Sequence, residues 1–196
     1  MLSINPHLLI PMTVLWVLLP AYVANATATL PKGRGPPMDF GRIWPGDGRR
    51  ILGASKTWSG LLFGTLMGGL VALLQTYLWL HLLQPYDIAV VPSFGSSLVD
   101  ALPVVLLLSL GALLGDALGS FVKRRANRPS GERTLLLDQL PFVLLPITVG
   151  WFLFPSIFAT AFSSLEAILW LLFFTVVLHV FFNWIGFKAG WKKVPW

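Results

Sequence analysis

All 14 lysines and arginines of this 196-residue chain fall in three short segments, separated by long apolar stretches. Residues 31–56 hold six of them (Lys32, Arg34, Arg42, Arg49, Arg50 and Lys56). Residues 121–137 hold five (Lys123, Arg124, Arg125, Arg128 and Arg133), and the tail holds Lys188, Lys192 and Lys193. An apolar helix of about 20 residues crosses the hydrocarbon core of a bilayer, and the intervening stretches are of that length. With 56% hydrophobic and 11% charged residues, the chain is too apolar for a soluble globular domain. The expected class is therefore an all-α integral membrane protein, a single domain over residues 1–196. With no cysteine there is no disulfide, thiolate zinc site or cysteine nucleophile. The net charge of +6 raises the question of nucleic acid, but basic loops between spans follow from membrane orientation, and no nucleic-acid partner is expected.

Five spans are expected, over about residues 7–30, 57–83, 98–120, 138–158 and 164–187. The first contains Pro11 and Pro20, which a membrane helix tolerates when neighbours satisfy the freed backbone groups. No basic region precedes it, so it reads as a span rather than a cleaved signal. Gly60, Gly64 and Gly68 in the second span, and Gly111, Gly115 and Gly119 in the third, recur every four residues and allow close helix approach. Such stripes could pack within one chain or between two, which leaves a homodimer open. Ser163 and Glu166 have the spacing of a capping box at the start of the fifth span. The linker 84–97 carries Asp87 and no Lys or Arg. With five crossings, all three basic segments share one side. The positive-inside rule makes that side cytoplasmic, with the N-terminus outside, the C-terminus inside, and loops 31–56 and 121–137 in the cytoplasm of a multi-pass cell-membrane protein.

The chemistry concentrates where the spans meet these loops. Asp116 ends the third span and Asp138 begins the fourth, bracketing Lys123, Arg124, Arg125, Arg128 and Arg133. Carboxylates at a membrane boundary suit Mg²⁺, and packed Lys/Arg suit a polyphosphate. A helix N-cap is the plainer reading of Asp138, whereas Asp116, between Gly115 and Ala117 in mid-helix, suits a metal better. Ala54–Gly60, reading ASKTWSG, offers Ser55, Lys56 and Thr57 ahead of a helix start, where backbone N–H groups favour an anion. It lacks Walker A spacing. Asn25, with Thr27 and Thr29, lies at the inner end of the first span, within reach of a nucleotide or lipid head group. His179 and Asn183 share one face of the fifth span, where they could line a substrate groove, though interhelical hydrogen bonding is the plainer role; the same plainer role covers Gln75 in the second span. His7, His81 and His179 are scattered without metal-ligand spacing. The composite expectation is a metal–nucleotide site at the membrane surface.

KTWSG (56–60) resembles the KTWEG element of phosphatidate cytidylyltransferases, and GDALGSFVKRR (115–125) with LDQLPF (137–142) resembles the second half of their signature. The short length, PPMDFGR (36–42) and LDQLPF are closer to the archaeal branch, the CDP-archaeol synthases. The bacterial signature continues with a Lys-Asp pair, a PGHGG turn and DRxD, where this chain reads ANRPSGERTLLLDQ. Asp138 is the counterpart of a DRxD acid, and Glu132 is the nearest match to the Lys-Asp acid.

The resemblance implies transfer of a cytidylyl group from CTP to an isoprenoid glycerol phosphate lipid, with release of pyrophosphate. It implies Mg²⁺ held by Asp116 and Asp138, and phosphates held by Lys56, Lys123, Arg124 and Arg125. Ser55, Thr57, Asn25 and the 31–56 loop, including Lys32 and Asp39, would contact the nucleotide and cover the site on the cytoplasmic face. A CTP-dependent polyprenol or dolichol kinase would need a similar site but would release CDP, and a diacyl phosphatidate acceptor is a further alternative. A transporter would place polar residues at mid-depth in several spans. Spans one, two and four hold few beyond Ser, Thr and Gln75. A CDP-alcohol phosphotransferase is disfavoured, because its DGxxAR core is missing.

Overall fold

The structure, a computed structural model, describes residues 6–86, 90–129, 132 and 134–190. Asp87, Arg133, Lys192, Lys193 and the His7 side chain lie outside the described residues. The described chain is helical: α1 (Pro6–Thr27), α2 (Trp58–Leu78, continued by a π-helical stretch Trp79–Leu83), α3 (Leu102–Arg125), α4 (Leu135–Gln139), α5 (Pro141–Leu153), α6 (Pro155–Phe162) and α7 (Leu165–Lys188). Among the described residues, four segments are long and apolar enough to cross a membrane: Leu8–Thr27, Trp58–Leu83, Leu102–Arg125 and Leu165–Lys188.

The stretch expected as a continuous fourth span, 138–158, is instead three helices that break at Leu140 and Phe154. Prolines 141 and 155 cause the breaks. Each lacks an N–H for the helical ladder and is accommodated in the first turn of a new helix. The 13 residues of α5 rise about 20 Å, short of the roughly 30 Å of a hydrocarbon core. At the start of α7 the cap is Ser164, whose hydroxyl accepts from the Ala167 N–H at 3.1 Å. The expected Ser163–Glu166 capping box is therefore not formed. Glu166 sits in the first turn, where the helix dipole favours an acid.

Helix α1 is the axis of the bundle. Its Val14, Val17, Leu18 and Ala21 are fully buried and meet residues from α3, α5, α6 and α7 in one core, and buried Ala24 packs with Leu61 and Leu113 in a second cluster. Gln75 of α2 donates to the Trp16 carbonyl at 2.9 Å, and Tyr22 and Thr175 share a hydrogen bond of 3.0 Å between α1 and α7. The α2 stripe lies on α1: a Cβ on Gly64 or Gly68 would stand 2.6 Å from the carbonyl oxygen of Ala24 or Pro20. The α3 stripe lies on the α4–α5 junction, with Gly119 against the Leu137 carbonyl and Gly115 against Pro141. Both stripes are thus filled within the chain. The second contact brings Asp138 of α4 beside the last turns of α3.

Candidate active site at the junction of α1, α2, α3, α4 and α7

The loop between α1 and α2 is folded around one carboxylate. Asp39 accepts from the backbone N–H groups of Gly41 (3.0 Å), Leu52 (3.1 Å) and Gly53 (3.0 Å), and its side chain is fully buried against the Arg50 guanidinium. Burial would raise this carboxyl, but the Arg50 guanidinium and the three N–H groups outweigh it and hold it well below the usual carboxylate range. Antiparallel pairing of Met38 N–H with the Lys56 carbonyl (2.8 Å) and Trp58 N–H with the Pro36 carbonyl (3.1 Å) closes the loop at α2. Thr57 caps α2, accepting from the Gly60 N–H at 3.2 Å.

These constraints aim Lys56 at α3, where its ammonium pairs with Asp116 across 60 residues of chain. A second pair follows on the other side. Lys123 Nζ lies 2.5 Å from Asp138 Oδ1 and also donates to the Glu132 carbonyl at 2.8 Å. The remaining Asp138 oxygen accepts from the Thr134 N–H at 2.7 Å, so Asp138 braces the start of α4 from inside the helix and is not its N-cap. Arg124 is buried, donates to the Pro129 carbonyl at 3.0 Å, and keeps a buried Nε with no hydrogen-bond partner among the described residues.

Between these pairs lies a cavity of about 380 Å³, within the size range of small-molecule sites. Asn25, Lys32, Ser55, Lys56, Thr57, Asp116, Lys123, Arg124 and Asp138 all line it. Two expected nucleotide contacts do not. Asp39 is enclosed in its own loop, its oxygens already engaged. Arg125 points the other way, donating to the Arg50 carbonyl at 2.9 Å, pairing with Asp47 at 2.8 Å and lying over the rings of Trp44 and Phe121. Arg125 thus ties the first loop to α3.

The lining also includes residues that sequence reasoning passed over, Tyr22, Ser120 and Phe142. Ser120 follows Asp116 by four and Tyr22 precedes Asn25 by three, so helical periodicity could have found both. Nothing local marks Phe142. The cavity is also lined by His179 and Asn183, whose side chains lie 3.1 Å apart, with the His179 ring stacked near Phe142.

The cavity carries four cations (Lys32, Lys56, Lys123, Arg124) and three carboxylates (Asp116, Glu132, Asp138), with serine and threonine hydroxyls between them. Among the described residues no three His, Cys, Asp or Glu side chains converge as a closed metal cage. The donor set still fits magnesium, which commonly takes one or two carboxylates and completes its shell with water and substrate phosphates. The Asp116 and Asp138 side chains retain 22% and 26% exposure, so a ligand can reach both.

Residues 7–196 match the CarS-like family, described as CDP-archaeol synthase. The chain is 44% identical over 182 residues to the CDP-archaeol synthase of Thermococcus gammatolerans, covering 93% of this chain and 94% of that one. It is 40% identical over 182 residues to that of Methanocaldococcus jannaschii, covering 93% and 95% respectively. A solved structure of an intramembrane enzyme for archaeal membrane lipids biosynthesis superposes with a TM-score of 0.59 at 34% identity, covering 83% of this chain and 90% of that one. The chain belongs to the CarS-like family of CDP-archaeol synthases.

Proposed function

We propose that this chain transfers the cytidylyl group of CTP to the phosphate of 2,3-di-O-geranylgeranylglycerol-1-phosphate, giving a CDP-archaeol-type lipid and pyrophosphate. The observation that carries the reading is the convergence of Lys56–Asp116 and Lys123–Asp138, from the α1–α2 loop, α3 and α4, on one cavity at the end of the bundle. An acceptor phosphate oxygen attacks the α-phosphorus of CTP, and the bond from that phosphorus to the pyrophosphate oxygen breaks. The nucleophile is already an anion, so the reaction needs positioning and charge neutralisation more than a general base.

Lys56, Lys123 and Arg124 hold the triphosphate and the departing pyrophosphate, with Lys32 at the mouth. With substrate phosphates drawing Lys56 and Lys123 away, Asp116 and Asp138 would hold Mg²⁺. That ion supplies Lewis-acid neutralisation of the phosphate oxygens. Asn25, Ser55 and the adjoining loop backbone position the nucleoside. The apolar side of the cavity, with Tyr22, Phe142, Leu178 and Phe182, faces the lipid acceptor.

The geometry favours five crossings, with α5 and α6 together making the fourth. The ends of α1, α3 and α7 and the starts of α2 and α4 border the same cavity. The positive-inside rule then sets that end in the cytoplasm, the N-terminus outside and the C-terminus inside.

The test is incubation of purified protein with labelled CTP, Mg²⁺ and either the isoprenoid or the diacyl glycerol phosphate. CDP-lipid and pyrophosphate are expected, with the isoprenoid acceptor preferred; release of CDP with phosphorylated alcohol would mean a kinase. Asp116→Asn and Asp138→Asn should each abolish lipid labelling in protein that remains monodisperse in detergent. Unimpaired labelling in both variants would sink the metal assignment.

A further inference from the structure

The loop that organises the site carries an apolar edge that faces away from the cavity. Phe40 and Ile43 are 62% and 60% exposed, and Trp44 beside them is also exposed, in a segment otherwise rich in Gly, Pro and Arg. Phe40 is held at φ +48°, in the left-handed region that a bulky side chain rarely adopts. It is flanked by the Asp39 hydrogen-bond network and by Gly41, itself at φ +78°, and its ring is exposed.

The ring meets a specific surface. Phe40 packs on Trp58, the first residue of α2, at 6.3 Å between ring centroids. Trp58 heads a row of exposed apolar residues one helical turn apart, Leu62, Leu66, Leu70 and Leu74, on a helix long enough to span a bilayer. That row is lipid-facing. Trp44 meets Phe121 edge to face at 5.4 Å, just beyond exposed Leu114 and Leu118 of α3. The edge Phe40–Ile43–Trp44 therefore continues the lipid-facing surfaces of α2 and α3 past the ends of both helices, with Arg34 and Arg42 exposed beside it. Apolar and aromatic groups flanked by arginine suit the boundary between acyl chains and anionic head groups.

We propose that this edge is a membrane anchor: the loop between α1 and α2 inserts Phe40 and Ile43 into the acyl–head-group boundary of the bilayer. The occupant of the surface is lipid, not a second copy of the chain and not water. The anchor holds the wall of the cavity that carries Lys56 at the depth of a lipid phosphate. It gives the Phe40 backbone strain a reason, because an exposed turn in water would favour Gly or Asn there.

The chain has no cysteine, so single-cysteine variants can carry an environment-sensitive fluorophore at one position. Phe40→Cys and Ile43→Cys are labelled in nanodiscs of anionic lipid, with Leu66→Cys as a lipid-facing reference and Arg128→Cys as an aqueous one. The labels at 40 and 43 should show blue-shifted emission. They should be quenched by lipids bearing a nitroxide high on the acyl chain, and be several-fold less quenched by iodide than the label at 128. Iodide quenching at both positions equal to that at 128 would overturn the proposal. So would shielding from iodide without quenching by the labelled lipids, since that pattern means a protein cover. Position 43 keeps the test valid should Phe40→Cys disturb the turn, because Ile43 has no strained backbone to lose.

Discussion

Replacing Asp39 by alanine removes the acceptor for three backbone N–H groups and for Arg50 in one step. Each buried donor left without a partner costs about 1–3 kcal/mol, so the loop should lose on the order of several kcal/mol of local stability. Tryptic cleavage after Arg42 and Arg49 should accelerate strongly in Asp39→Ala while helical circular dichroism is retained. Unchanged cleavage would show that the carboxylate does not organise the loop. The pH dependence follows from the depressed carboxyl. A group whose folded pKa lies below its unfolded value contributes fully above the unfolded value, ~3.9 for Asp, and loses that contribution as pH falls below it. Hydrogen-exchange protection of Leu52 and Gly53 should therefore be flat from pH 7 to about 5 and decline only below about 4. Nothing in PPMDFGR announces this hub. An acid between Met and Phe in a basic loop reads as a ligand for substrate, and only the fold reveals that its acceptors are taken.

Glycines on α3 that look equivalent in sequence differ sharply at the level of helix packing. A methyl group on Gly115 would run into the backbone carbonyl of Pro141, which cannot swing aside, whereas on Gly111 it would meet Pro146 and Leu107 at an ordinary 3.5 Å. Overpacking against backbone costs about 1–3 kcal/mol or more. Gly115→Ala should therefore lower the thermal midpoint in detergent and, by prising the α4–α5 junction from α3, separate Lys123 from Asp138 and depress activity further. Gly111→Ala should be tolerated, since alanine is favoured over glycine in a helix by about 0.5–1 kcal/mol. Equal behaviour of the two would contradict the packing. The spacing of four made the stripes visible beforehand, but not their partners. The break of the fourth apolar stretch was missed although prolines mark it: Pro155 stands after Phe154 where the backbone leaves the helix, and Pro141 opens α5. Hydropathy alone smooths over both, because every residue around them is apolar.

Across the whole molecule, the pairing of charges was the least legible feature. Lys56 and Asp116 are 60 residues apart and Lys123 and Asp138 are 15, and no local periodicity links either pair. What the sequence does show is charge asymmetry, and that asymmetry makes a sharp statement about sidedness. If α3 crosses the bilayer, the segment after it and the linker before it lie on opposite faces of the membrane. Val99→Cys, exposed in that linker, and Arg128→Cys, exposed beyond α3, test this directly in a chain with no other thiol. An impermeant maleimide applied to intact cells should label residue 99 and leave residue 128 unlabelled until the membrane is opened. Labelling of residue 128 from outside would put Lys56, Asp116 and Lys123 on the face away from cytoplasmic CTP, and the proposed reaction would have no access to its nucleotide.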